Sequence, residues 1–541
     1  YFWSPDGKQV LFLQMNENPV PTYPITDLIP TQPTVDNQRY PKPGDPNPQV
    51  RLGIVNASGG KVNWLKLPVP ASGKDPGPAQ AHEFYIPRFG WVRPGLVWAQ
   101  VLNRAQNRLD LYFADVKSGR VRVVLSEQSP TWIEINDNFT NVPPGERFLW
   151  TSWRDGHTHL YLYSFDNADP LSQEARLETQ LTRGDFEVFD VAGVDEDGRI
   201  VFFTANAGDD RQRQLFRVNL DGSGFQKVSR EAGTHVPAFG PGAKWYVDNF
   251  SALMIPPRLS LCRADGACNA FWESAGIAEH KLPTPEFVDF RANDGTLLRG
   301  ELTLPPESPA GSKVPLVLYP YGGPGEQEVR DAWGGSRFLF NELLARRGIA
   351  VLTVDNRGMA GRGRAFAAAA HGEFGKVQIE DQLAALHQAL ERFPQLDKDR
   401  VGIWGWSFGG TMTLWAMTRS TAFKAGASVA PVTDWHDYDS IYTERYLGLP
   451  QQNPEGYRRS SPVTTAAGLS GSLLLVHGTG DDNVHFQNTV QMTQAFITSG
   501  KLFQVMFYPR KLHSISGTQA ETDLFTRIER LFAEELLGRR E

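Results

Sequence analysis

Apolar residues before about residue 280 fall into short runs, each about as long as a single β-strand. Five of these runs recur along the chain, at 10–13, 96–102, 148–153, 200–205 and 245–250. From the second run onward they begin about 50 residues apart, a spacing typical of propeller blades with four strands each. A β-sandwich is the alternative, and the regular spacing argues against it. We therefore predict that residues 1–280 form a partial β-propeller of about five blades.

A Pro-rich insertion at 19–48 separates the first run from the second and lengthens the first repeat. Pro-rich segments favour an extended backbone and resist packing as regular sheet. We expect this insertion to form a surface excursion with extended backbone.

The pattern changes after residue 280. Helical patterns, such as the one at 377–391, alternate here with short apolar runs that are typical of buried strands. These runs lie at 316–319, 350–354, 401–404 and 473–476. A strand pair at 287–291 and 297–304 precedes them. Alternating strands and helices form a mostly parallel, doubly wound sheet, and we predict such a domain for residues 281–541.

Length and charge narrow the range of functions. A chain of 541 residues is too long for one hydrophobic core, which agrees with two domains. The formal net charge of −7 gives no indication of nucleic-acid binding. A run of about 18 apolar residues does not occur, so we expect no membrane span in this chain.

The two cysteines, Cys262 and Cys268, flank the hairpin turn sequence Asp265-Gly266. Strand partners across such a turn can come within disulfide range. Two alternatives stay open: a bridge, which would favour a periplasmic or secreted location, and two reduced thiols in a core.

A Gly-Trp-Ser-Phe-Gly sequence at 405–409 lies between a predicted strand and a helical pattern at 411–418. This is the layout of a nucleophile elbow, in which a serine hydroxyl projects from a strained turn and the flanking glycines avoid a Cβ clash. Ser407 is therefore the predicted nucleophile, and the backbone N–H of Phe408 is a predicted oxyanion donor. Because of this elbow, we predict that residues 281–541 form an α/β-hydrolase domain.

An elbow serine needs a base and an acid, which follow it in the order Ser, Asp, His in this fold class. Asp481 and Asp482 lie in the loop after one predicted strand, and His513 follows the next strand. Loops at the carboxyl ends of parallel strands gather catalytic groups. His513 is the predicted base, whereas we expect His477 and His485 to have packing or hydrogen-bonding roles. Position alone leaves Asp481 and Asp482 as alternatives, because adjacent side chains cannot both face His513.

Six stretches of the second half, taken together, are specific for one protein family. They are Tyr-Pro-Tyr-Gly-Gly-Pro at 319–324, Asp-Asn-Arg-Gly at 355–358, Gly-Trp-Ser-Phe-Gly-Gly at 405–410, Ala-Pro-Val at 430–432, Tyr-Thr-Glu-Arg-Tyr at 442–446 and His-Gly-Thr-Gly-Asp-Asp-Asn-Val-His-Phe at 477–486. With them, the chain from about residue 281 resembles the catalytic domain of the prolyl oligopeptidase family, in its dipeptidyl peptidase IV branch. Phe408 stands where that branch usually has Tyr, and Gly480 where Ala is common.

The resemblance implies that Ser407, Asp481 and His513 form the catalytic triad, and so favours Asp481 over Asp482. It implies Tyr321 as the second oxyanion donor beside Phe408. The implied activity is that of a serine exopeptidase, which releases dipeptides from the free N-terminus of peptides when Pro or Ala is in the penultimate position. Metal and organic cofactors are not implied.

The resemblance also implies a substrate pocket. Its expected residues are Val432, Trp435, Tyr438, Tyr442 and Val484, with Phe408, around the P1 side chain, and Asn483 at the P2 carbonyl. Tyr438 and Tyr442 are four residues apart, so on one helix they would share a face. Without the resemblance, a buried aromatic stripe would be the ordinary interpretation of these two residues.

Two alternatives to a dipeptidyl peptidase stay open. One is a prolyl tripeptidyl peptidase or oligopeptidase of the same family, and the other is a binding homologue without activity. Retention of Ser407, Asp481 and His513 argues against the second.

The resemblance further implies a homodimer that contacts through the C-terminal helix at 521–537 and the propeller excursion. The branch has eight propeller blades, and a pair of glutamates upstream of its Trp-Ser-Pro sequence binds the substrate ammonium. We therefore expect further blades and these acids upstream of residue 1.

Overall fold

The structure is a computed structural model that describes residues 1–68, 83–135, 137, 139–142, 145–195, 197–306 and 311–539. Five antiparallel sheets follow one another along the chain from Phe2 to Glu273, and an eight-stranded sheet begins at Glu286. The predicted domain boundary at residue 280 lies in the link between Glu273 and Glu286, and its position stays a prediction.

Within the described ranges, the first five sheets contain 23 strands together with the inserted hairpin. The first sheet and its inserted hairpin contain β1 (Phe2–Trp3), β2 (Gln9–Asn16), β3 (Thr22–Asp27), β4 (Thr34–Arg39), β5 (Gln49–Asn56) and β6 (Asn63–Trp64). The second contains β7 (Phe84–Tyr85), β8 (Phe89–Arg93), β9 (Leu96–Asn103), β10 (Arg108–Asp115) and β11 (Val121–Gln128). The third contains β12 (Thr140–Val142), β13 (Arg147–Ser152), β14 (His159–Ser164) and β15 (Arg176–Gln180). The fourth and fifth contain β16 (Val188–Val194), β17 (Ile200–Ala205), β18 (Gln214–Asn219), β19 (Gln226–Lys227), β20 (Thr234–Phe239), β21 (Trp245–Ala252), β22 (Ile255–Arg263) and β23 (Cys268–Glu273).

The five predicted apolar runs coincide with β2, β9, β13, β17 and β21, each of which is an inner strand of its sheet. These strands are apolar because neighbouring sheets pack against one another. Leu111 and Phe113 of the second sheet, for example, share a buried cluster with Phe148 and Trp150 of the third. Strands β9, β13 and β17 are buried along almost their whole length, which explains their continuous apolar runs, whereas β21 alternates buried with less buried positions and β2 is mostly partly buried or exposed. The predicted propeller-type repeat is thus confirmed.

The eight-stranded sheet has the order β24-β25-β27-β26-β28-β29-β30-β31, with β25 antiparallel to its neighbours and the strands from β27 to β31 parallel. Its strands are β24 (Glu286–Arg291), β25 (Leu297–Thr303), β26 (Val314–Leu318), β27 (Ala350–Asp355), β28 (Leu396–Trp406), β29 (Ala425–Val429), β30 (Ser472–Gly478) and β31 (Gln504–Tyr508). The helices are α1 (Gly335–Arg346), α2 (Gly363–Ala367), α3 (Lys376–Arg392), α4 (Phe408–Arg419), α5 (Ser440–Leu447), α6 (Pro454–Ser460), α7 (Gln487–Thr498) and α8 (Thr518–Leu537). This topology confirms the predicted α/β-hydrolase fold.

Helix α8 packs its apolar stripe against the sheet. Ile528, Leu531, Phe532 and Leu536 are buried in one cluster with residues of β28, β29 and β30. The stripe therefore belongs to the core of the chain, and the expected homodimer stays a prediction. Among the described residues, no helix is long and apolar enough to cross a membrane.

The Pro-rich insertion has the predicted extended backbone, since β3 and β4 pair as an antiparallel hairpin. The hairpin lies at the surface, as expected, with its residues exposed or partly buried, but the insertion also contacts the second domain. We name residues 20–47 the strap, because the segment lies across the second domain: Val20, Tyr40 and Asn47 are buried, and Asn47 accepts a hydrogen bond of 2.6 Å from the hydroxyl of Ser440.

The two cysteines are disulfide-bonded. Cys262 of β22 lies directly opposite Cys268 of β23, with their Cα atoms 4.1 Å apart. The structure thus favours the bridge over two reduced thiols. A periplasmic or secreted location stays a prediction.

We expect replacement of both cysteines by serine to loosen the β22–β23 hairpin locally. Closure of this short loop stabilises the hairpin by about 2 kcal/mol through lost unfolded-chain entropy. Amide hydrogen exchange in the two strands should therefore accelerate by roughly tenfold or more, while amides of β28 and β30 keep their rates. Unchanged exchange in β22 and β23 would contradict this expectation.

Candidate active site

Ser407 lies at the turn between β28 and α4, with φ 60° and ψ −120°. Positive φ is uncommon for a residue with a side chain, and it is strained unless the surroundings hold it. The Ser407 N–H donates to Val429 O at 2.8 Å, and Ser407 O accepts from Thr411 N–H at 3.0 Å. These bonds tie the turn to β29 and to the first turn of α4.

The two glycines of the elbow are required by close approach of backbone. A Cβ on Gly405 would lie 2.4 Å from backbone atoms of Gly409, and a Cβ on Gly409 would lie 2.5 Å from Pro320 O. Real Cβ atoms do not come so close to a neighbouring backbone, so a larger residue at either position would force the turn apart. The predicted role of the glycines is confirmed.

Three side chains that follow the carboxyl ends of β28, β30 and β31 meet beside this turn. His513 Nε2 lies 2.9 Å from Ser407 Oγ, and His513 Nδ1 lies 2.8 Å from Asp481 Oδ2. Because Asp481 accepts from Nδ1–H, the opposite ring nitrogen is free to accept the Ser407 proton. The arrangement is that of a serine nucleophile, a base and an orienting acid.

Asp481 is fully buried and Asp482 is exposed. Besides His513, the Asp481 carboxylate accepts from His477 Nε2 at 3.1 Å and from the N–H groups of Asn483 and Val484 at 3.0 and 2.9 Å. Burial by itself raises the pKa of the Asp481 carboxyl, but the hydrogen bonds from His477 and His513 outweigh it and lower the pKa to about 2. The carboxylate therefore stays ionised at neutral pH.

His477 has the hydrogen-bonding role expected for it. Its Nε2–H is shared between Asp481 Oδ2 and Val484 O, the latter at 2.8 Å. Its Nδ1 lies 2.8 Å from the Thr489 hydroxyl, which donates to it. The ring thus holds the loop after β30 closed around Asp481.

Tyr321 lies in the loop after β26, next to the elbow. Burial, together with the carboxylates of Glu326 and Glu328, raises the pKa of Tyr321 to about 12, although a hydrogen bond with Ser407 opposes the shift. The phenol therefore keeps its proton at neutral pH and can donate it. Phe408, the first residue of α4, supplies a backbone N–H at the same turn.

The predicted pocket residues form an aromatic cluster. The rings of Trp435 and Tyr442 are stacked with centroids 6.2 Å apart, and those of Tyr438 and Tyr442 meet edge to face at 5.3 Å. Trp435 also packs against Phe408 at 5.6 Å. Trp435 is buried, whereas Tyr438 and Tyr442 are only partly buried, so the two tyrosines are the members of the cluster that a ligand can reach.

The prediction that Tyr438 and Tyr442 share one face of a helix is wrong. Tyr438 precedes α5 and has an extended backbone, with φ −94° and ψ 176°. Asp439 caps the helix by accepting the Tyr442 N–H at 2.8 Å. The rings therefore meet across the start of the helix and not along one face of it.

The remaining predicted residues lie around the same loops. Val432 and Val484 are buried, and Asn483 Oδ1 accepts from the Tyr438 hydroxyl at 3.0 Å. This bond orients the Asn483 amide, whose nitrogen is left as a donor. Phe374, which sequence reasoning missed, is buried with its ring 4.8 Å from that of Trp435. It lies in a loop without periodic pattern, so the sequence carries no sign of its position.

Clusters of three or more His, Cys, Asp or Glu side chains that could hold a metal ion do not occur in the described part of the chain. The chemistry available at the elbow is nucleophilic attack by a serine, with proton transfer through His513.

We expect Asp481→Asn to slow reaction of Ser407 with a small organophosphorus fluoride by about three to four orders of magnitude, because the amide cannot hold His513 in the required tautomer. Asp482→Asn is the matched control, since its exposed side chain does not contact His513, and it should react within about twofold of the parent protein. The reverse ranking would exchange the roles of the two residues.

Both halves of the chain match known protein families. Residues 1–257 match the family model described as the dipeptidyl peptidase IV N-terminal region, and residues 338–539 match the prolyl oligopeptidase family. The chain is 31% identical to a probable dipeptidyl-aminopeptidase B of Emericella nidulans, over 97% of this chain and 60% of that protein. It is 29% identical to a probable dipeptidyl peptidase 4 of Aspergillus flavus, over 95% of this chain and 67% of that protein.

Among solved structures, the crystal structure of Porphyromonas gingivalis dipeptidyl peptidase 4 superposes with a TM-score of 0.89 at 29% identity, over 99% of this chain and 74% of that one. The chain thus spans between about 60% and three quarters of the length of these relatives.

Proposed function

Because the chain belongs to the prolyl oligopeptidase family, in its dipeptidyl peptidase IV branch, we propose that it is a serine peptidase that releases dipeptides from the free N-terminus of peptides, with Pro or Ala in the penultimate position. The observation that carries the proposal is the hydrogen-bonded triad of Ser407, His513 and Asp481, which lies beside the aromatic cluster. The names of the similar proteins support the dipeptidyl specificity.

In the proposed reaction, Ser407 Oγ attacks the carbonyl carbon of the second residue while His513 Nε2 takes its proton. The tetrahedral intermediate collapses as His513 returns that proton to the leaving amine, which leaves the dipeptide as an ester on Ser407. Water, deprotonated by His513, then attacks the ester carbonyl, and His513 returns the proton to Ser407 Oγ as the dipeptide leaves. Asp481 keeps the imidazole oriented and stabilises the imidazolium at each step.

The oxyanion of each tetrahedral intermediate would accept from the Phe408 N–H and the Tyr321 hydroxyl. The Phe408 N–H belongs to the first turn of α4, and Tyr321 lies in the loop after β26 beside the elbow, so both donors need little reorganisation when charge develops. Loss of one such donor typically costs about 2.7 to 4 kcal/mol of transition-state stabilisation. The raised pKa of Tyr321 suits this role, because only the protonated phenol can donate.

The aromatic cluster supports the preference for a small or cyclic P1 residue. A proline ring has no N–H to satisfy and can bury its apolar face against Tyr438 and Tyr442. The buried residues Val432, Trp435 and Val484 would form the back of this slot, and the Asn483 amide nitrogen would donate to the P2 carbonyl. We assign no residue of this chain to the substrate ammonium.

The proposed function is tested by comparing four amides: Ala-Pro and Gly-Pro with free N-termini, acetylated Ala-Pro, and Ala-Ala-Pro. We expect release of the amine from the two free dipeptidyl amides and much slower cleavage of the acetylated one, with Ser407→Ala inactive on all four. Release of an intact tripeptide would favour a tripeptidyl peptidase. Equal rates on free and blocked substrates would favour an oligopeptidase, and a lack of cleavage together with an unreactive Ser407 would favour a binding homologue.

Tyr442→Ala should raise KM and lower kcat/KM for Ala-Pro amides more than for Ala-Ala amides, because the larger proline ring loses more contact. A pocket change of this kind is usually worth about 1 to 3 kcal/mol. Ile441→Ala is the control, since Ile441 is exposed on the same helix. Equal losses on both substrates would make Tyr442 a scaffold residue.

A further inference from the structure

The strap contacts the loop that carries the catalytic acid, residues 481–485, which we name the acid loop. Gln38 Nε2 donates to Asp482 O at 2.8 Å, and the Tyr40 hydroxyl donates to Asn483 O at 2.7 Å. The two strap residues lie more than 440 positions away from the acid loop in sequence. Strap side chains thus hold two successive backbone carbonyls of the loop.

The strap also holds the end of the acid loop through His485. The ring of His485 is stacked on that of Tyr23, with centroids 3.5 Å apart and an interplanar angle of 5°. Its Nε2 lies 3.0 Å from Gln38 Oε1, which accepts the ring proton. The Gln38 amide therefore uses its nitrogen on Asp482 and its oxygen on His485. Burial, assisted by the charge of Lys42, lowers the pKa of His485 to about 4, so the stacked ring is neutral at physiological pH.

The two carbonyls held by the strap belong to the same peptide groups that hold the catalytic carboxylate. The peptide between Asp482 and Asn483 has its C=O on Gln38 and its N–H on Asp481 Oδ1. The next peptide has its C=O on Tyr40 and its N–H on the same oxygen. Because a peptide group is planar, fixing the direction of its carbonyl also fixes the direction of its N–H. Bonding at the carbonyl also polarises the N–H and strengthens its bond to the carboxylate.

We propose that Gln38 and Tyr40 are positioning residues for the catalytic triad: through two peptide groups of the acid loop, they orient the Asp481 carboxylate and thereby the His513 imidazole. Neither residue touches the reacting atoms in this arrangement. The inference deepens the proposed function and rests on it for the peptidase assay, but its central test needs only a reactive Ser407.

The test compares Tyr40→Phe, which removes one hydroxyl, and Gln38→Leu, which removes both bonds of the amide, with the control Asn37→Ala. Asn37 lies on the same strand, β4, and is exposed. The first measurement is the rate at which diisopropyl fluorophosphate inactivates the protein, because this small reagent needs the triad and not the peptide pocket. The second is kcat and KM for Ala-Pro amide, and the third is amide hydrogen exchange at Asn483 and Val484.

We expect Tyr40→Phe and Gln38→Leu to lower the inactivation rate and kcat together, by roughly tenfold, as for the loss of one hydrogen bond that aligns a reacting group. KM should stay within about twofold, exchange at Asn483 and Val484 should accelerate, and the melting temperature and molecular mass should match those of the parent. Asn37→Ala should leave all of these quantities unchanged.

Inactivation rates within twofold of the parent in both variants would overturn the proposal. A loss of reactivity that accompanies a change in molecular mass by light scattering would also overturn it, because the effect would then belong to assembly. If the parent reacts with the fluorophosphate but cleaves none of the dipeptidyl amides, the proposed function fails, and the positioning role is still decided by the inactivation rates.

Discussion

The buried carboxylate of Asp481 is the constraint on which the candidate site depends. An ion without contact to water is costly unless hydrogen bonds replace its hydration. Asp481 obtains these bonds from two histidines and from two N–H groups of its own loop. The loop must therefore fold back on itself immediately after β30, and this turn brings the carboxylate under His513.

The sheet supplies the remaining geometry. Ser407, Asp481 and His513 follow the carboxyl ends of β28, β30 and β31, and β29 lies between the first two of these strands. Their side chains can meet only if the elbow is compact, which explains the close approach of Gly405 to Gly409 and of Gly409 to Pro320. Backbone strain at Ser407 is offset by the bond from its N–H to Val429 and by the packing of α4 on the sheet.

The sequence was most informative about local features. Strand runs, the elbow and the order Ser, Asp, His are visible in short windows, and the structure agrees with them. Strand β29 was missed because it consists of small residues, and these are required because α4 packs closely on it: a Cβ on Gly426 would lie 2.9 Å from Met417 Cγ. The choice between Asp481 and Asp482 depended on loop hydrogen bonds, and the strap contacts join residues more than 440 positions apart. Neither leaves a periodic pattern.

The pocket helix α5 also depends on the first domain. Its Glu444 is buried and accepts two hydrogen bonds from Arg104, at 2.6 and 2.8 Å, and a third from the N–H of Gly44 in the strap. Arg104, which follows β9, is itself buried and bonds to Asp45 O. Removing one partner of such a pair typically costs about 3 to 5 kcal/mol, because a charge is left buried and unpaired. The first domain therefore helps to hold the helix that carries Tyr442, so both domains contribute to the geometry of the pocket.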